Sequence, residues 1–191
     1  MFKTNFLNVE FTQNQLTVPT FDDFFSRVGD VERIVEIGTG CGSLTMFLGL
    51  HCFYKDKQVI TFDIQNKVSE KTKLLFSALN IDQRIKNVFE NIEEVGNEIK
   101  KDGRTILLCD NGNKVKEFEL LSKYLKIDDF IFAHDYSRTK EFFYSDMMHK
   151  YWNWFEIDEA RIKDSCEKYN LEDFMHEEFQ KCAWVCKRKI K

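Results

Sequence analysis

The chain has 191 residues and a net charge of −4, and 43% of its residues are hydrophobic, including nineteen phenylalanines. This length supports one domain with a sizeable core rather than two domains. Disorder would need low hydrophobicity and high net charge, and the chain has neither. The negative charge argues against a dedicated nucleic-acid-binding face. With no window of about 18 apolar residues, no membrane span is predicted.

Cysteine usage and the start of the chain indicate a cytoplasmic protein. No C-x-x-C motif occurs, and the residues after Met1 show no charged stretch followed by an apolar run, so no signal peptide is predicted. The scattered cysteines favour buried free thiols, with a zinc site formed by Cys182, Cys186 and His176 as the alternative. The six cysteines are Cys41, Cys52, Cys109, Cys166, Cys182 and Cys186.

Residues 1–30 are predicted to form an N-terminal arm and one helix, and residues 31–191 the main domain. Residues 1–20 are polar, with scattered apolar positions. Phe21, Phe24 and Val28 then fall at helical spacing, and Gly29 would end that helix.

Apolar runs alternate with helical patterns from residue 33 onward. Such alternation predicts βαβ units and an α/β fold whose mostly parallel sheet carries helices on both faces. The predicted strands are 33–37, 59–62, 85–89, 105–109 and 130–133. The predicted helices are 44–52, 68–79, 92–100, 115–125 and 158–169, and Leu74 is expected on the buried, apolar face of the second of them. Residues 174–178 and 183–187 read as two further strands in a closing hairpin with a tight connection.

The strongest motif is a glycine loop directly after the first of these strands and before a helix. Residues 36–43 read Glu-Ile-Gly-Thr-Gly-Cys-Gly-Ser. Glycines let the backbone turn sharply and let a ligand approach closely, and ligands bind at the carboxyl ends of parallel strands. The G-x-G-x-G spacing differs from the dinucleotide fingerprint, and there is no G-K-[ST] of a P-loop. The alternative is a glycine-rich turn without a ligand.

Asp63 ends the next strand, about 20 residues after the glycine loop. A carboxylate at this position can accept hydrogen bonds from both ribose hydroxyls of an adenosine. The alternative role is a strand-end or helix-capping carboxylate. Together with the loop, Asp63 predicts an adenosine-containing ligand.

Residues 36–42 followed by Asp63 resemble the class I S-adenosylmethionine (SAM)-dependent methyltransferases, over about residues 31–187. The resemblance implies a Rossmann-like fold with a seven-stranded sheet and a C-terminal antiparallel hairpin. It also implies that Gly38 and Gly40 pass beside the amino-acid part of SAM, that Asp63 holds the ribose, and that Glu90 and Asn91 contact the adenine. The full set of cofactor-binding residues so implied is Glu36, Gly38, Thr39, Gly40, Gly42, Ser43, Asp63, Ile64, Glu90, Asn91 and Asp110.

A third group of residues follows the strands at 105–109 and 130–133. Asp110 comes after the first of them, and His134 and Asp135 end the second. The pattern is similar to metal-dependent sugar and small-molecule O-methyltransferases of the mycinamicin, rhamnosyl and cephalosporin-biosynthesis type, which implies a divalent-cation site, for Mg²⁺ or Mn²⁺, at all three residues. An acid is usual at position 134, and imidazole suits Mn²⁺ or Zn²⁺ better than Mg²⁺.

Two other roles are open for these residues. His134, with Asp110, is a candidate catalytic pair, because a neutral imidazole can take the proton of an attacking hydroxyl. All three side chains can also be ordinary strand-end polar groups.

Residues 136–155 are aromatic and charged and have no clear period. We interpret them as a lid over the acceptor site, with Tyr136, Trp152 and Trp154 as candidate pocket residues. The alternative is an amphipathic helix packed in the core. His149 and His176 are expected at the surface.

The sequence therefore predicts a SAM-dependent methyltransferase acting on a hydroxyl of a small molecule or sugar, with a metal as an optional cofactor. A first alternative is a SAM-binding or S-adenosylhomocysteine (SAH)-binding module without catalysis, and a second is another α/β enzyme with a nucleotide-like ligand. Residues 110–113 (Asp-Asn-Gly-Asn) lack an Asn-Pro-Pro-Tyr-like element, which argues against methylation of DNA bases. Neither a membrane nor a nucleic acid is an expected partner, and assembly into a homo-oligomer is left open.

Overall fold

A computed structural model describes residues 4–53 and 57–191. Seven strands form the main sheet: β3 (Arg33–Ile37), β4 (Gln58–Asp63), β5 (Ile81–Ile85), β6 (Thr105–Cys109), β7 (Phe130–His134), β8 (Leu171–Asp173) and β9 (Trp184–Lys189). Their order is β5-β4-β3-β6-β7-β9-β8. Strands β3 to β7 pair in parallel, whereas β9 is antiparallel to both β7 and β8. A separate hairpin joins β1 (Thr4–Phe6) and β2 (Val9–Phe11).

Helices connect these strands. They are α1 (Thr17–Val28), α2 (Ser43–Phe53), α3 (Glu70–Ala78), α4 (Ile92–Lys100), α5 (Lys114–Leu121), α6 (Lys140–Phe142), α7 (Glu159–Tyr169) and α8 (His176–Gln180). A 3₁₀ turn, Ser122–Tyr124, follows α5, and a π-helical turn, Phe143–Met147, follows α6. None of the helices in the described ranges has both the length and the apolar character needed to span a bilayer.

The sheet separates two apolar clusters, because alternate residues of each strand point to opposite faces. On β3, Ile34 belongs to one cluster and Val35 to the other. Helix α1 is part of the first cluster: the rings of Phe21 and Phe132 lie 5.1 Å apart. The predicted mostly parallel sheet, covered on both faces and closed by an antiparallel C-terminal hairpin, is confirmed.

The predicted strand at 85–89 is wrong, because the structure places β5 at Ile81–Ile85. β5 is an edge strand in which only Ile81 is buried. The Arg84 side chain is partly exposed and donates hydrogen bonds to the carboxylates of Asp82 and Glu94. A strand at the sheet edge needs no continuous apolar run, so the hydrophobic pattern pointed to the wrong residues.

Helix α3 also faces differently from its predicted orientation. Thr72 and Phe76 are buried, whereas Leu74, expected on the buried face, is 74% exposed. Helix α1 begins at Thr17, earlier than predicted, with Pro19 in its first turn. A proline is tolerated there because the first-turn amides have no intrahelical acceptor.

The C-terminal hairpin is built from other residues than predicted. The first strand is Leu171–Asp173 rather than 174–178, and helix α8 interrupts the expected tight connection. The apolar pattern in this segment does not come from a strand. Phe174 and Phe179 instead pack on Phe24, at ring distances of 5.9 and 6.0 Å. The predicted helix 115–125 ends at Leu121 and continues as the 3₁₀ turn.

Candidate active site

A cavity of about 400 Å³ opens at the carboxyl edge of the parallel strands. The glycine loop and the turn after β4 form one side, and the ends of β6 and β7 form the other. The N-terminal arm and two tryptophans complete the wall. The lining residues are Thr12, Gln13, Gly38, Thr39, Gly40, Cys41, Ser43, Leu44, Asp63, Ile64, Gln65, Lys67, Asp110, Asn111, His134, Asp135, Trp152 and Trp154.

A side chain would have a different consequence at each of the three glycines of the loop. A Cβ on Gly38 (φ +106°) would lie 2.3 Å from the backbone oxygen of Asp110, and one on Gly42 (φ +88°) would lie 2.7 Å from the Phe76 ring. These two glycines therefore let the loop pack against its neighbours. A Cβ on Gly40 would meet nothing within 4 Å, so this position borders open space that a ligand can occupy.

Glu36 anchors the loop from below and does not line the cavity. Its Oε2 accepts hydrogen bonds from Thr45 and Thr61, both at 2.6 Å, and Thr61 is also paired with Thr39 of the loop. Burial raises the pKa of Glu36 to about 7, although the two threonine hydroxyls oppose the shift. Glu36, which was predicted to bind the cofactor, therefore supports the loop and has no contact with the cavity.

Asp63 lies at the end of β4 and lines the cavity. Its Oδ2 accepts the backbone N–H of Gly40 and its Oδ1 that of Gln65, each at 2.9 Å. A carboxylate has about four acceptor positions, so two are left for ligand hydroxyls. The side chain therefore fixes the glycine loop and remains able to bind a ribose.

Glu90 and Asn91 lie outside the cavity lining. Glu90 accepts a hydrogen bond from the Asn87 side chain at 2.8 Å, and the Asn91 side chain donates to the Asn87 backbone at the same distance. Both side chains are engaged within the turn before α4. The structure therefore does not bring these two predicted adenine contacts to the cavity, whereas it does bring Ile64 there.

Asp110, His134 and Asp135 come together as predicted, because β6 and β7 are neighbours in the sheet. Their ligand atoms all lie within 4.8 Å of one another. His134 Nδ1 is 2.9 Å from Asp110 Oδ1 and 3.6 Å from Asp135 Oδ1. The imidazole also stacks on Trp184, at a ring distance of 4.6 Å.

The charges around His134 determine its protonation. Burial lowers the pKa of the imidazole, but the negative charges of Asp110 and Asp135, and the hydrogen bond that Asp110 accepts from Nδ1, outweigh burial, so the net shift is upward. Within the described part of the chain, Nε2 is buried and has no hydrogen-bond partner.

The N-terminal arm reaches this site through Gln13. The Gln13 amide donates to Asp110 Oδ2 at 2.7 Å, and its Oε1 accepts the indole N–H of Trp184 at 3.1 Å. The neighbouring Asn14 side chain donates to the backbone oxygen of Tyr151. The arm therefore forms one wall of the cavity. No sequence motif indicated this, because Gln13 lies 97 positions from its partner.

Asp135 has two partners that the sequence analysis also missed. The indole N–H of Trp152 donates to Oδ1 at 2.7 Å, and the Lys114 ammonium lies 2.9 Å from Oδ2. Glu156 binds the same ammonium at 3.1 Å. Lys114 stands four residues after Asp110 and is the first residue of α5, and this spacing was the available signal.

The aromatic segment 136–155 divides between core and cavity. Tyr136 is 1% exposed, and its hydroxyl donates to Glu159 at 2.9 Å. Trp152 is buried against His134 and Asp135. Trp154 is 63% exposed and borders the cavity. The lid interpretation therefore fits Trp154, whereas Tyr136 is a core residue.

The alternative zinc site is not assembled in the structure. In residues 4–53 and 57–191, the group formed by Asp110, His134 and Asp135 is the one set of three such side chains close enough to share an ion. Cys182 and Cys186 are free and buried, and His176 bonds to Asp173 instead.

Several solved structures share this fold at low sequence identity. A CmcI structure (D160) with Mg and SAM has a TM-score of 0.66 and 12% identity, covering 98% of this chain and 76% of CmcI. The O-methyltransferase TomG from Streptomyces achromogenes, in complex with SAM, has a TM-score of 0.54 and 12% identity, covering 90% and 79%. A Staphylococcus aureus protein provisionally assigned as a caffeoyl-CoA O-methyltransferase has a TM-score of 0.59 and 16% identity, covering 95% and 87%.

No family model and no curated protein sequence matches the chain. At such identities the structural likeness establishes the fold. The chain has the Rossmann-like fold of class I SAM-dependent O-methyltransferases.

Proposed function

We propose that the chain is a SAM-dependent methyltransferase that methylates a hydroxyl oxygen of a small molecule or sugar. One observation carries the proposal: a single cavity runs from the glycine loop and Asp63 to Asp110, His134 and Asp135. The first group suits a nucleoside ligand with a charged amino-acid part, and the second suits proton transfer from an acceptor. TomG, which has the same fold, is an O-methyltransferase solved with SAM.

The cofactor lies along the loop in this proposal. The backbone at Gly38 and Gly40 passes beside its amino-acid part, with Thr39 and Ser43 as polar neighbours, and Asp63 binds the ribose hydroxyls. Ile64 supplies an apolar wall. Gly42 and Glu36 contribute by shaping the loop from behind.

The reaction is an in-line displacement at the methyl carbon. The acceptor oxygen forms a bond to this carbon as the carbon–sulfur bond of SAM breaks, giving the methyl ether and SAH. The protein's main contribution is to hold the two reactants in line. The proton of the hydroxyl goes to the neutral form of His134 as general base, and the raised pKa of this imidazole makes it a stronger proton acceptor. Asp110 orients the imidazole through the 2.9 Å contact with Nδ1.

The donor atoms of Asp110, His134 and Asp135 do not suit the metal site implied by the resemblance. The three side chains are close enough to share an ion. However, each oxygen of Asp110 and Asp135 already has a protein partner: His134 and Gln13 for Asp110, and Trp152 and Lys114 for Asp135. One of these partners is a fixed positive charge. The donor set therefore does not fit a divalent cation, and the proposed reaction uses none.

The substrate class and location belong to the same proposal. Trp154 presents an exposed aromatic face at the cavity, which suits a sugar or a flat ring. No disulfide links the six cysteines within residues 4–53 and 57–191, and the proposed location is the reducing cytoplasm. Neither a nucleic acid nor a membrane is a proposed partner.

The test is transfer of a labelled methyl group from SAM to the small-molecule fraction of a cell extract. We expect labelled products that are stable to base, as ethers are, and a large loss of label with the His134→Gln variant. SAM binding without any transfer, in several extracts, would favour the binding-module alternative. The absence of SAM binding would reject both.

A further inference from the structure

Lys114 places a positive charge among the acids at the carboxyl edge of the sheet. Its side chain is 7% exposed, and Nζ lies 2.9 Å from Asp135 Oδ2, 3.1 Å from Glu156 Oε2 and 3.9 Å from Asp110 Oδ1. Nζ also donates to the backbone oxygen of Asn111 at 2.7 Å. The ammonium therefore binds both strand-end acids of the candidate site.

Glu156 fixes the lysine in this position. Its two oxygens accept the backbone N–H of Lys114, at 2.7 Å, and the ammonium. The backbone N–H of Glu156 donates in turn to the Asp135 carbonyl at 3.0 Å. Moving the ammonium away would remove the partner of Asp135 Oδ2 and of Glu156 Oε2, which is costly for charged oxygens with little access to water.

The lysine remains charged. Its ammonium is paired with the carboxylates of Asp135 and Glu156 at 2.9 and 3.1 Å, and opposite charges at this distance favour the charged form. A divalent cation placed between Asp110 and Asp135 would lie close to this ammonium. Repulsion between the two cations would be strong, because little water is present to screen it.

We propose that Lys114 takes the place of a divalent cation, so that the protein binds no such ion between Asp110 and Asp135. Only the corollary, that methyl transfer needs no added metal, rests on the proposed function. Lys114 does not line the cavity, so it is a positioning residue. It holds Asp135 in place and balances the charge of Asp110, which in turn orients His134.

The test is a titration of metal-free protein with Mn²⁺, in which electron paramagnetic resonance measures the concentration of the free ion. The wild type should bind no Mn²⁺ saturably at millimolar concentration, with or without SAM. Lys114→Met removes the ammonium and keeps most of the side-chain length, so this variant should gain one site. The added substitution Asp135→Asn should abolish that site. Lys116→Met, on the exposed side of the same helix, is the matched control and should resemble the wild type.

Saturable Mn²⁺ binding by the wild type that Asp110→Asn weakens would overturn the proposal. A folded Lys114→Met variant that gains no site would also overturn it. If that variant does not fold, the wild-type titration decides alone. SAM calorimetry on the same samples tests the proposed function separately from the role of Lys114. If the wild type binds both SAM and Mn²⁺, only the proposed role of Lys114 is rejected. The absence of both kinds of binding rejects only the proposed function. Methyl transfer should also withstand EDTA.

Discussion

Asp63 fixes the glycine loop, and we propose that it also binds the ribose of the ligand; both depend on its charge. It accepts backbone N–H groups from Gly40 and Gln65, which fixes the loop, and it keeps acceptor positions for a ligand. His134 depends on its neighbours in the same way, because Asp110 orients it and Trp184 stacks on it. At the residue scale the site therefore consists of side chains whose partners are fixed before any ligand arrives.

Replacing Asp63 by Asn removes the charge and keeps the size of the side chain. We expect SAM affinity to fall about 10- to 100-fold, since hydrogen bonds to charged groups contribute about 1.5–3 kcal/mol. Isothermal titration calorimetry measures the loss. Asp82→Asn, on the neighbouring strand and outside the cavity, is the control and should bind SAM like the wild type. Equal affinities for the two variants would show that Asp63 does not hold the ribose.

His134→Gln keeps a polar side chain at the same place but removes the base. The turnover rate should fall about 10²- to 10⁴-fold, the usual contribution of general base catalysis. SAM affinity should be unchanged, because the glycine loop and Asp63 are intact. Rate measurements with saturating SAM, together with a thermal melt, separate this loss from unfolding. Undiminished turnover would assign the proton transfer to another group.

The elements around the cavity differ in how far they belong to the core. Segment 136–155 begins with Tyr136, which packs in the second apolar cluster, and carries Trp154 at the cavity rim. Between them, a short helix and a π-helical turn bring Trp152 over Asp135. One segment thus combines a structural part and a part that borders the acceptor side.

Alanine at Tyr136 should affect stability, whereas alanine at Trp154 should affect binding of the acceptor. Tyr136→Ala removes a fully buried ring and should destabilise the fold by about 3–5 kcal/mol. Trp154→Ala should leave the melting temperature nearly unchanged and raise the KM of the acceptor. Melting curves and acceptor kinetics on both variants provide the comparison. A large drop in melting temperature for Trp154→Ala would place this residue in the core as well.

Elements buried on both faces were predictable from the sequence, and edge elements were not. Central strands such as β3 and β6 are continuous apolar runs, as expected for parallel strands covered on both sides. β5 and β8 lie at the two edges, where few side chains are buried, and both were predicted too late in the chain.

The glycine loop, Asp63 and the strand-end acids were found because each follows a strand directly. The parts of the site supplied by Gln13 and Glu156 could not be found in this way. Their partners lie 97 and 42 positions away, and only the folded chain brings them together.

At the scale of the whole molecule, buried carboxyl groups make stability depend on pH. Burial raises the pKa of Glu36 to about 7 and that of Glu117 also to about 7, from an ordinary value of 4.5. Between these values the folded chain retains protons that the unfolded chain has released. Stability from these groups is therefore full below about pH 4.5 and decreases as pH rises to about 7.

Glu36→Gln should remove the share of this pH dependence that Glu36 contributes. Its amide oxygen can still accept the hydrogen bonds of Thr45 and Thr61. As pH rises from 5 to 8, the free energy of unfolding of the variant should increase relative to that of the wild type, by an amount on the order of a few kcal/mol. Urea unfolding at both pH values measures this gain. Glu70→Gln, at an exposed helix start, is the control. A gain that does not change with pH would contradict the burial of a proton on Glu36.

Calorimetric titration of the wild-type protein with SAH shows whether the cavity at the carboxyl edge is a SAM site. We expect saturable binding at one site per chain, displaced by SAM and not by NAD. A folded protein that binds neither SAH nor SAM would contradict this expectation.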